Sequence, residues 1–265
     1  MSDFYFERGL THKVCQDYAM AQDDVIVVSD GCSSSPDTDW GARLLCRTAI
    51  MASQSWDGVK LAIEASHLIS KMALDSYALD ATLLVARRVD KGVEVRAWGD
   101  GVYMARNRET GRWTVYVTEF AGNAPAYINY LIDETRYRIY MNEIGGRRRI
   151  CGYYLHEDSF EQFLVTDTFG FPTEGDSRFF PSEVYDLVVL CSDGVQSFQR
   201  RKGRSVESVP VEEVLRHFDF RGPGESVTRT MRWFFNKFCP AEGWQHVDDV
   251  AVAAIEMEAP DALEE

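Results

Sequence analysis

Two apolar segments that each end in Ser-Asp-Gly constrain the fold of this chain most. One is VIVVSDG at residues 25–31, and the other is LVVLCSDG at residues 187–194. Short runs of Val, Ile and Leu that are bounded by Asp and Gly are typical of strands covered on both faces. The sequence therefore predicts two buried strands, each of which delivers an acidic side chain to the edge of a sheet.

Further apolar patterns indicate how the rest of the chain folds. Apolar runs at residues 83–86 and 250–255 predict two more buried strands, and alternating segments such as GVEVRAW predict strands with one wetter face. Apolar stripes at helical spacing predict helices within residues 38–56, 58–77, 124–146, 210–218 and 224–238. Because strands and helices do not alternate strictly, we expect an α+β fold in which helices cover a mainly antiparallel sheet system.

The composition excludes several classes of protein. A formal net charge of −14 disfavours binding to nucleic acid or to an anionic membrane, since both attract basic surfaces. The six cysteines include no C-x-x-C pair, which disfavours structural zinc, and no apolar run reaches the ~18 residues of a membrane span. We expect a cytoplasmic monomer with a single domain over residues 1–258 and a short acidic tail over residues 259–265.

Acidic residues recur at the ends of the predicted strands, between two short strands in the case of Asp100, and within a strand-like segment in the case of Asp17. These residues are Asp17, Asp30, Asp100, Asp193 and Asp248. A single acid at a strand end is ordinarily a turn residue, but carboxylates gathered at one sheet edge repel one another and require protons or cations. Carboxylate and backbone carbonyl oxygens suit Mg²⁺ and Mn²⁺, and a glycine such as Gly31 lets the backbone approach an ion closely. The sequence therefore predicts a divalent metal site at the sheet edge.

Motifs of several other hydrolase classes do not occur. Phosphatases that use an aspartyl nucleophile usually carry a second acid two residues later, whereas Cys32 follows Asp30 at that spacing. The sequence contains no G-x-x-x-x-G-K-[ST] loop, no G-x-S-x-G elbow and no H-E-x-x-H helix. The absence of these motifs is consistent with the hypothesis that the acids at the strand ends act through bound metal ions.

The order of six motifs resembles that of the metal-dependent type 2C protein serine/threonine phosphatases over roughly residues 8–257. The motifs are CQDYAM, VVSDGCSSSP, LDATLLVA, WGDGVYMARN, YDLVVLCSDGVQSF and DDVAVAAI. The resemblance implies a four-layer αββα sandwich of two mainly antiparallel sheets flanked by helix pairs. It also implies hydrolysis of phosphoserine and phosphothreonine monoesters in a phosphoprotein substrate, by a water that bridges two divalent cations.

The resemblance also implies roles for individual residues. Asp30 would bridge two Mn²⁺ or Mg²⁺ ions, Asp193 and Asp248 would hold one of them, and the Gly31 carbonyl would help to hold the other. Asp17 and Asp100 would lie beside a third, weaker ion site. The residues expected to carry catalysis are Asp30, Asp193, Asp248 and His12.

The sequence departs from the family pattern at four positions. His12 stands where the family commonly has a phosphate-binding arginine, and Cys32 stands where eukaryotic members place a histidine. Asp80 replaces a glycine and Asp249 replaces an asparagine, so we expect Asp249 to add negative charge near the site. These departures motivate an alternative, a catalytically weak or inactive relative that acts as a regulatory binding module. A third hypothesis is a scaffold whose acids only cap turns. We also expect residues 122–182 to form a flap over the cleft.

Overall fold

The fold is seen in a computed structural model that describes residues 1–52, 56–156, 159–170, 173–203, 205–220, 222 and 224–258. The strands are β1 (Ser2–Glu7), β2 (Tyr18–Gln22), β3 (Val25–Ser29), β4 (Leu83–Val89), β5 (Gly92–Trp98), β6 (Gly101–Asn107), β7 (Trp113–Phe120), β8 (Arg148–Leu155), β9 (Phe160–Thr168), β10 (Asp176–Pro181), β11 (Tyr185–Cys191), β12 (Phe198–Lys202), β13 (Ser205–Ser208), β14 (Trp244–His246) and β15 (Val250–Glu256). The α-helices are α1 (Thr38–Met51), α2 (Gly58–Lys71), α3 (Glu134–Glu143), α4 (Val211–Leu215), α5 (Ser226–Trp233) and α6 (Cys239–Glu242). The acidic tail predicted over residues 259–265 lies outside the described residues.

The strands form two large sheets and one small sheet. The seven-stranded sheet has the order β1-β15-β11-β6-β7-β8-β9, and the five-stranded sheet has the order β10-β5-β4-β3-β2. A third sheet consists of β13, β12 and β14. Every pairing between these strands is antiparallel, as the sequence predicted.

The two large sheets pack face to face, and helices cover the outer face of each. Ile26 on β3 and Leu190 on β11 are both fully buried between the sheets. Leu45 on α1 packs on the outer face of the five-stranded sheet, and Met231 on α5 packs on the outer face of the seven-stranded sheet. The hydrophobic effect thus joins four layers through three apolar interfaces, which confirms the predicted αββα fold class.

Two of the predicted helices differ from the observed ones. Residues 124–146 do not form one helix, because a short 3₁₀ turn at Ile128–Leu131 ends before Asp133. The Asp133 side chain then caps α3 by accepting a hydrogen bond from the Arg136 N–H at 3.0 Å. The predicted helix at residues 224–238 continues past α5 as a π-helical turn at Phe234–Phe238. Among the described residues, no helix is long and apolar enough to cross a membrane.

Residues 122–182 do not form a single flap, in contrast to the expectation from the sequence. β8 and β9 extend the seven-stranded sheet, and β10 extends the five-stranded sheet. Backbone pairing with strands of existing sheets holds these segments in place, although much of β9 and β10 stays exposed. Of the described residues in this range, only those of the connection between β7 and β8, residues 121–147, lie beside the cavity that is described next.

Candidate metal centre

Six of the seven predicted site residues line one cavity of about 180 Å³. The cavity is lined by His12, Asp30, Gly31, Cys32, Ser33, Ser34, Asp100, Asn123, Pro125, Tyr127, Asp193 and Asp248. Asp17 lies in the loop before β2 rather than within a strand, and its carboxyl is within hydrogen-bonding reach of Asp30. The structure therefore brings all seven residues together, from segments that lie far apart along the chain.

Asp30 is held at the end of β3 by the start of β4. The Asp30 N–H donates to Oγ1 of Thr82 at 3.1 Å, and the Thr82 N–H donates to the Asp30 carbonyl at 2.8 Å. Gly31 pairs with Ala81 in an isolated β-bridge. A Cβ atom on Gly31 would lie only 2.9 Å from the carbonyl oxygen of Gln16, so a larger residue would push the Asp17 loop away. Glycine after Asp30 is thus required by close packing of the backbone.

The second Ser-Asp-Gly segment has the same physical basis. β11 ends at Cys191, and Asp193 begins a 3₁₀ turn. A Cβ atom on Gly194 would lie 1.6 Å from the carbonyl oxygen of Asp249, a distance that no side chain can adopt. The absence of a side chain therefore allows the turn after β11 to touch the segment before β15, and this contact sets Asp193 beside Asp248.

Burial, together with the charges of neighbouring acids, raises the pKa of several carboxyl groups in the cluster. Burial raises the pKa of Asp30 well above its ordinary value, and Asp17 and Asp100 raise it further. Burial likewise raises the pKa of Asp193, with the charges of Asp30 and Asp248 as further causes. Burial and the charge of Asp193 raise the pKa of Asp100 to about 8. The protein therefore holds acids together at a cost that protons or cations must offset.

The atoms of this cluster fit a hard divalent cation in chemical type. Oδ2 of Asp17 and Oδ1 of Asp100 are buried and have no hydrogen-bond partner among the described residues. As the side chains stand, no group of three or more His, Cys, Asp or Glu residues in the described part of the chain is arranged to hold a metal ion. Asp30 is instead within hydrogen-bonding reach of Asp17 and Asp193, a contact that carboxyl groups make by sharing protons. Positive ions with oxygen ligands would replace those protons.

Asp249 has a structural function that the sequence did not reveal. Its side chain is fully buried and does not line the cavity. Its two carboxylate oxygens accept hydrogen bonds from the N–H groups of Gly9 at 2.7 Å and Gln16 at 2.6 Å, and Nδ1 of His12 lies 2.9 Å from Oδ2. The expected negative charge is present and helps to raise the pKa of Asp17, but the carboxylate mainly anchors the loop that carries His12.

Replacing Asp249 with Ala is expected to lower the free energy of unfolding by about 3–5 kcal/mol, because the N–H groups of Gly9 and Gln16 lose their acceptor and His12 loses its contact with the carboxylate. Asp249→Asn keeps one amide oxygen as an acceptor, and we expect a cost of about 1–2 kcal/mol. Urea denaturation of both variants without metal measures the difference. An alanine variant as stable as the parent would contradict the anchoring function.

The sequence indicated one wall of the cavity only as part of the flap expected over residues 122–182, and it singled out none of the residues that line it. Asn123, Pro125 and Tyr127 come from the connection between β7 and β8. Burial raises the pKa of the Cys32 thiol, but hydrogen bonds with Ser34 and Tyr127 outweigh burial and lower it below its ordinary value. Single polar and aromatic residues in a loop carry no periodic signal, so only the structure could place them at the site.

Sequence comparison assigns the chain to a family. The family model described as protein phosphatase 2C matches residues 10–231. A search of curated proteins gave no match.

Three solved structures share the fold at low sequence identity. A bacterial serine phosphatase has a TM-score of 0.55 and 11% identity, with 98% of this chain and 99% of that chain covered. Stp1, a serine/threonine phosphatase from Staphylococcus aureus, has a TM-score of 0.52 and 12% identity, with coverage of 97% and 94%. The catalytic domain of the serine/threonine phosphatase PstP, in complex with 2 manganese ions, has a TM-score of 0.50 and 14% identity, with coverage of 97% and 98%.

The family match covers most of the chain, and four of the six motifs contribute residues to one cavity in the expected fold. This result does not favour the alternative of an inactive binding module. The chain belongs to the protein phosphatase 2C family, the metal-dependent enzymes that dephosphorylate phosphoserine and phosphothreonine.

Proposed function

We propose that Asp30, Gly31, Asp193 and Asp248 hold two Mn²⁺ or Mg²⁺ ions, and that Asp17 and Asp100 lie beside a third, weaker ion site. The observation that carries this proposal is the cluster of carboxyl groups with raised pKa and two buried oxygens without partners. The two manganese ions in the PstP structure support the proposed number. Hard divalent cations bind such oxygen donors and offset their mutual repulsion.

Bound ions would supply an activated water and positive charge to offset the charge of the phosphoryl group. Asp30 is within hydrogen-bonding reach of both Asp17 and Asp193, so its carboxylate would hold ions together with either of them. His12 is 17% exposed at its side chain, and its Nε2 lies 3.5 Å from Oδ1 of Asp248. Since Asp249 contacts Nδ1, we assign Nε2 to the phosphate that the family's arginine would otherwise bind.

The substrates of this family are phosphoproteins, and the cavity of about 180 Å³ suits a single phosphorylated side chain. We extend the proposal to a cytoplasmic, monomeric signalling enzyme with one domain over residues 1–258. The net charge of −14 supports the absence of nucleic acid and of an anionic membrane among its partners.

Phosphate release from a phosphoserine peptide and from a chromogenic aryl phosphate tests this function. We expect turnover with Mn²⁺, loss of turnover with a chelator, and recovery when Mn²⁺ is added again. Saturating Mn²⁺ at about 100 times its Kd should also stabilise the protein by about 2.7 kcal/mol for each ion site that is filled. Turnover that continues at the same rate with the chelator present would contradict the proposal. Stabilisation by Mn²⁺ without any turnover would instead support the alternative of a binding module.

A further inference from the structure

The β7–β8 connection, residues 121–147, forms one wall of the cavity and has its own small core. Phe120, Ala126 and Tyr140 are buried together in this core, and the partly buried Tyr130 packs against them. The wall residue Tyr127 is only 9% exposed, and it lies close enough to Cys32 on the opposite wall to help lower the pKa of that thiol. The position of the connection therefore determines the width of the cavity between residues 32–35 and residues 123–127.

A buried ion pair joins this connection to the rest of the site. Nη2 of Arg136, on α3, lies 2.6 Å from Oδ2 of Asp80. The Asp80 side chain is 3% exposed and that of Arg136 is 15% exposed, so water screens the pair weakly. An ion pair of this kind holds its partners more firmly than an exposed one, because either charge alone would be left buried.

Asp80 also binds the opposite wall. The hydroxyl of Ser35 donates to the same Oδ2 at 2.7 Å, and the Cys32 N–H donates to the Asp80 carbonyl at 2.8 Å. One residue thus contacts both walls of the cavity through three polar contacts. A glycine at position 80, the usual residue of the family, would keep only the backbone contact.

Arg136 is held in one orientation by two aromatic rings. Its guanidinium carbon lies 4.4 Å from the centre of the Tyr77 ring and 4.9 Å from the centre of the Tyr130 ring. Stacking on Tyr77 ties α3 to the segment just before Asp80, and stacking on Tyr130 ties it to the core of the connection. A lysine would keep the charge but would lose the planar stacking.

We propose that Asp80 is a positioning residue, and that the Asp80–Arg136 pair is a clamp that fixes the two walls of the catalytic cavity and so sets its selectivity for phosphorylated peptides. This inference rests on the proposed function. Peptide substrates extend beyond the phosphate and contact the walls, whereas a small aryl phosphate occupies mainly the acidic end. The clamp therefore acts on peptide binding and leaves the metal-assisted step unchanged.

Amide hydrogen exchange of Asp80→Asn and Arg136→Lys tests the clamp without any need for turnover. We expect exchange at residues 32–35 and 121–136 to accelerate by roughly tenfold in both variants, since each loses a contact that closes the walls. The matched control is Arg106→Lys, because Arg106 makes a bidentate ion pair with Asp186 at 2.9 and 3.1 Å. This pair lies at the end of β6 that is far from Asp100 and the cavity. Unchanged exchange in both clamp variants, or equal acceleration in the control, would overturn the proposal.

Kinetics separate the clamp from a general effect on folding. We expect KM for a phosphoserine peptide to rise roughly tenfold in both clamp variants, with kcat for an aryl phosphate within about threefold of the parent. A parallel loss of both activities would overturn the selectivity role. If the parent shows no Mn²⁺-dependent turnover, the proposed function fails, while hydrogen exchange still decides whether the clamp exists. If Asp80→Asn does not fold, the same measurements on Arg136→Lys, which lies on the surface helix α3, test the clamp.

Discussion

Replacing Asp193 with Asn is expected to lower kcat/KM for phosphoserine peptides with Mn²⁺ by a factor on the order of 10³ or more. The change removes a full negative charge from the cluster and leaves an amide, which is a weaker ligand for hard cations. Loss of one ligand charge costs several kcal/mol of transition-state stabilisation, and about 4 kcal/mol corresponds to a 10³-fold effect. Initial rates at saturating and sub-saturating peptide measure the change.

The same variant should be more stable than the parent when no metal is present. Burial and the charges of Asp30 and Asp248 raise the pKa of Asp193 in the folded state, so the folded protein binds more protons than the unfolded chain above the ordinary pKa. The stability of the parent therefore falls as the pH rises, and asparagine removes this contribution. We expect a higher Tm than the parent at pH 8 and a smaller difference toward pH 4.

Asp90→Asn is the matched control, because Asp90 is an exposed acid in the turn between β4 and β5. It should leave the activity, the Tm and the stabilisation by Mn²⁺ unchanged. An Asp193→Asn variant with parental activity, or one still stabilised by Mn²⁺ to the parental extent, would contradict the assignment of Asp193 as a metal ligand.

Replacing Gly194 with Ala is expected to lower the free energy of unfolding by about 4 kcal/mol or to prevent folding. The new Cβ would lie 1.6 Å from the carbonyl oxygen of Asp249, so the backbone before β15 has to move. That movement displaces Asp248 and the anchor at Asp249, and we expect phosphatase activity to be lost as well. Thermal and urea unfolding without metal measure the stability.

Gly203→Ala serves as the control for this substitution. Gly203 has a positive φ of 65° but no atom within 4 Å of a new Cβ, so only the backbone preference is tested. We expect a cost of about 1–2 kcal/mol there, with activity retained. Equal stability losses in the two variants would show that the contact between Gly194 and Asp249 is not what makes glycine necessary.

Local sequence patterns predicted much of this molecule correctly. The apolar segment before Asp30 forms β3 and the one before Asp193 forms β11, because a run of branched apolar residues can be buried only between covered layers. The helix predicted over residues 124–146 forms only as α3 in the second half of that range, since the cap at Asp133 begins a new helix after the 3₁₀ turn. A local hydrogen bond there outweighs a weak apolar stripe.

The sequence by itself determined the strands that end in acids, the order of the motifs and the family to which they belong. Only the tertiary structure decided the roles of Asp249 and Asp80. Asp249 accepts hydrogen bonds from residues 240 and 233 positions away, and the Asp80–Arg136 pair spans 56 positions. Such contacts have no periodicity that a sequence could display, because the partners meet only after the sheets have packed and buried their charges.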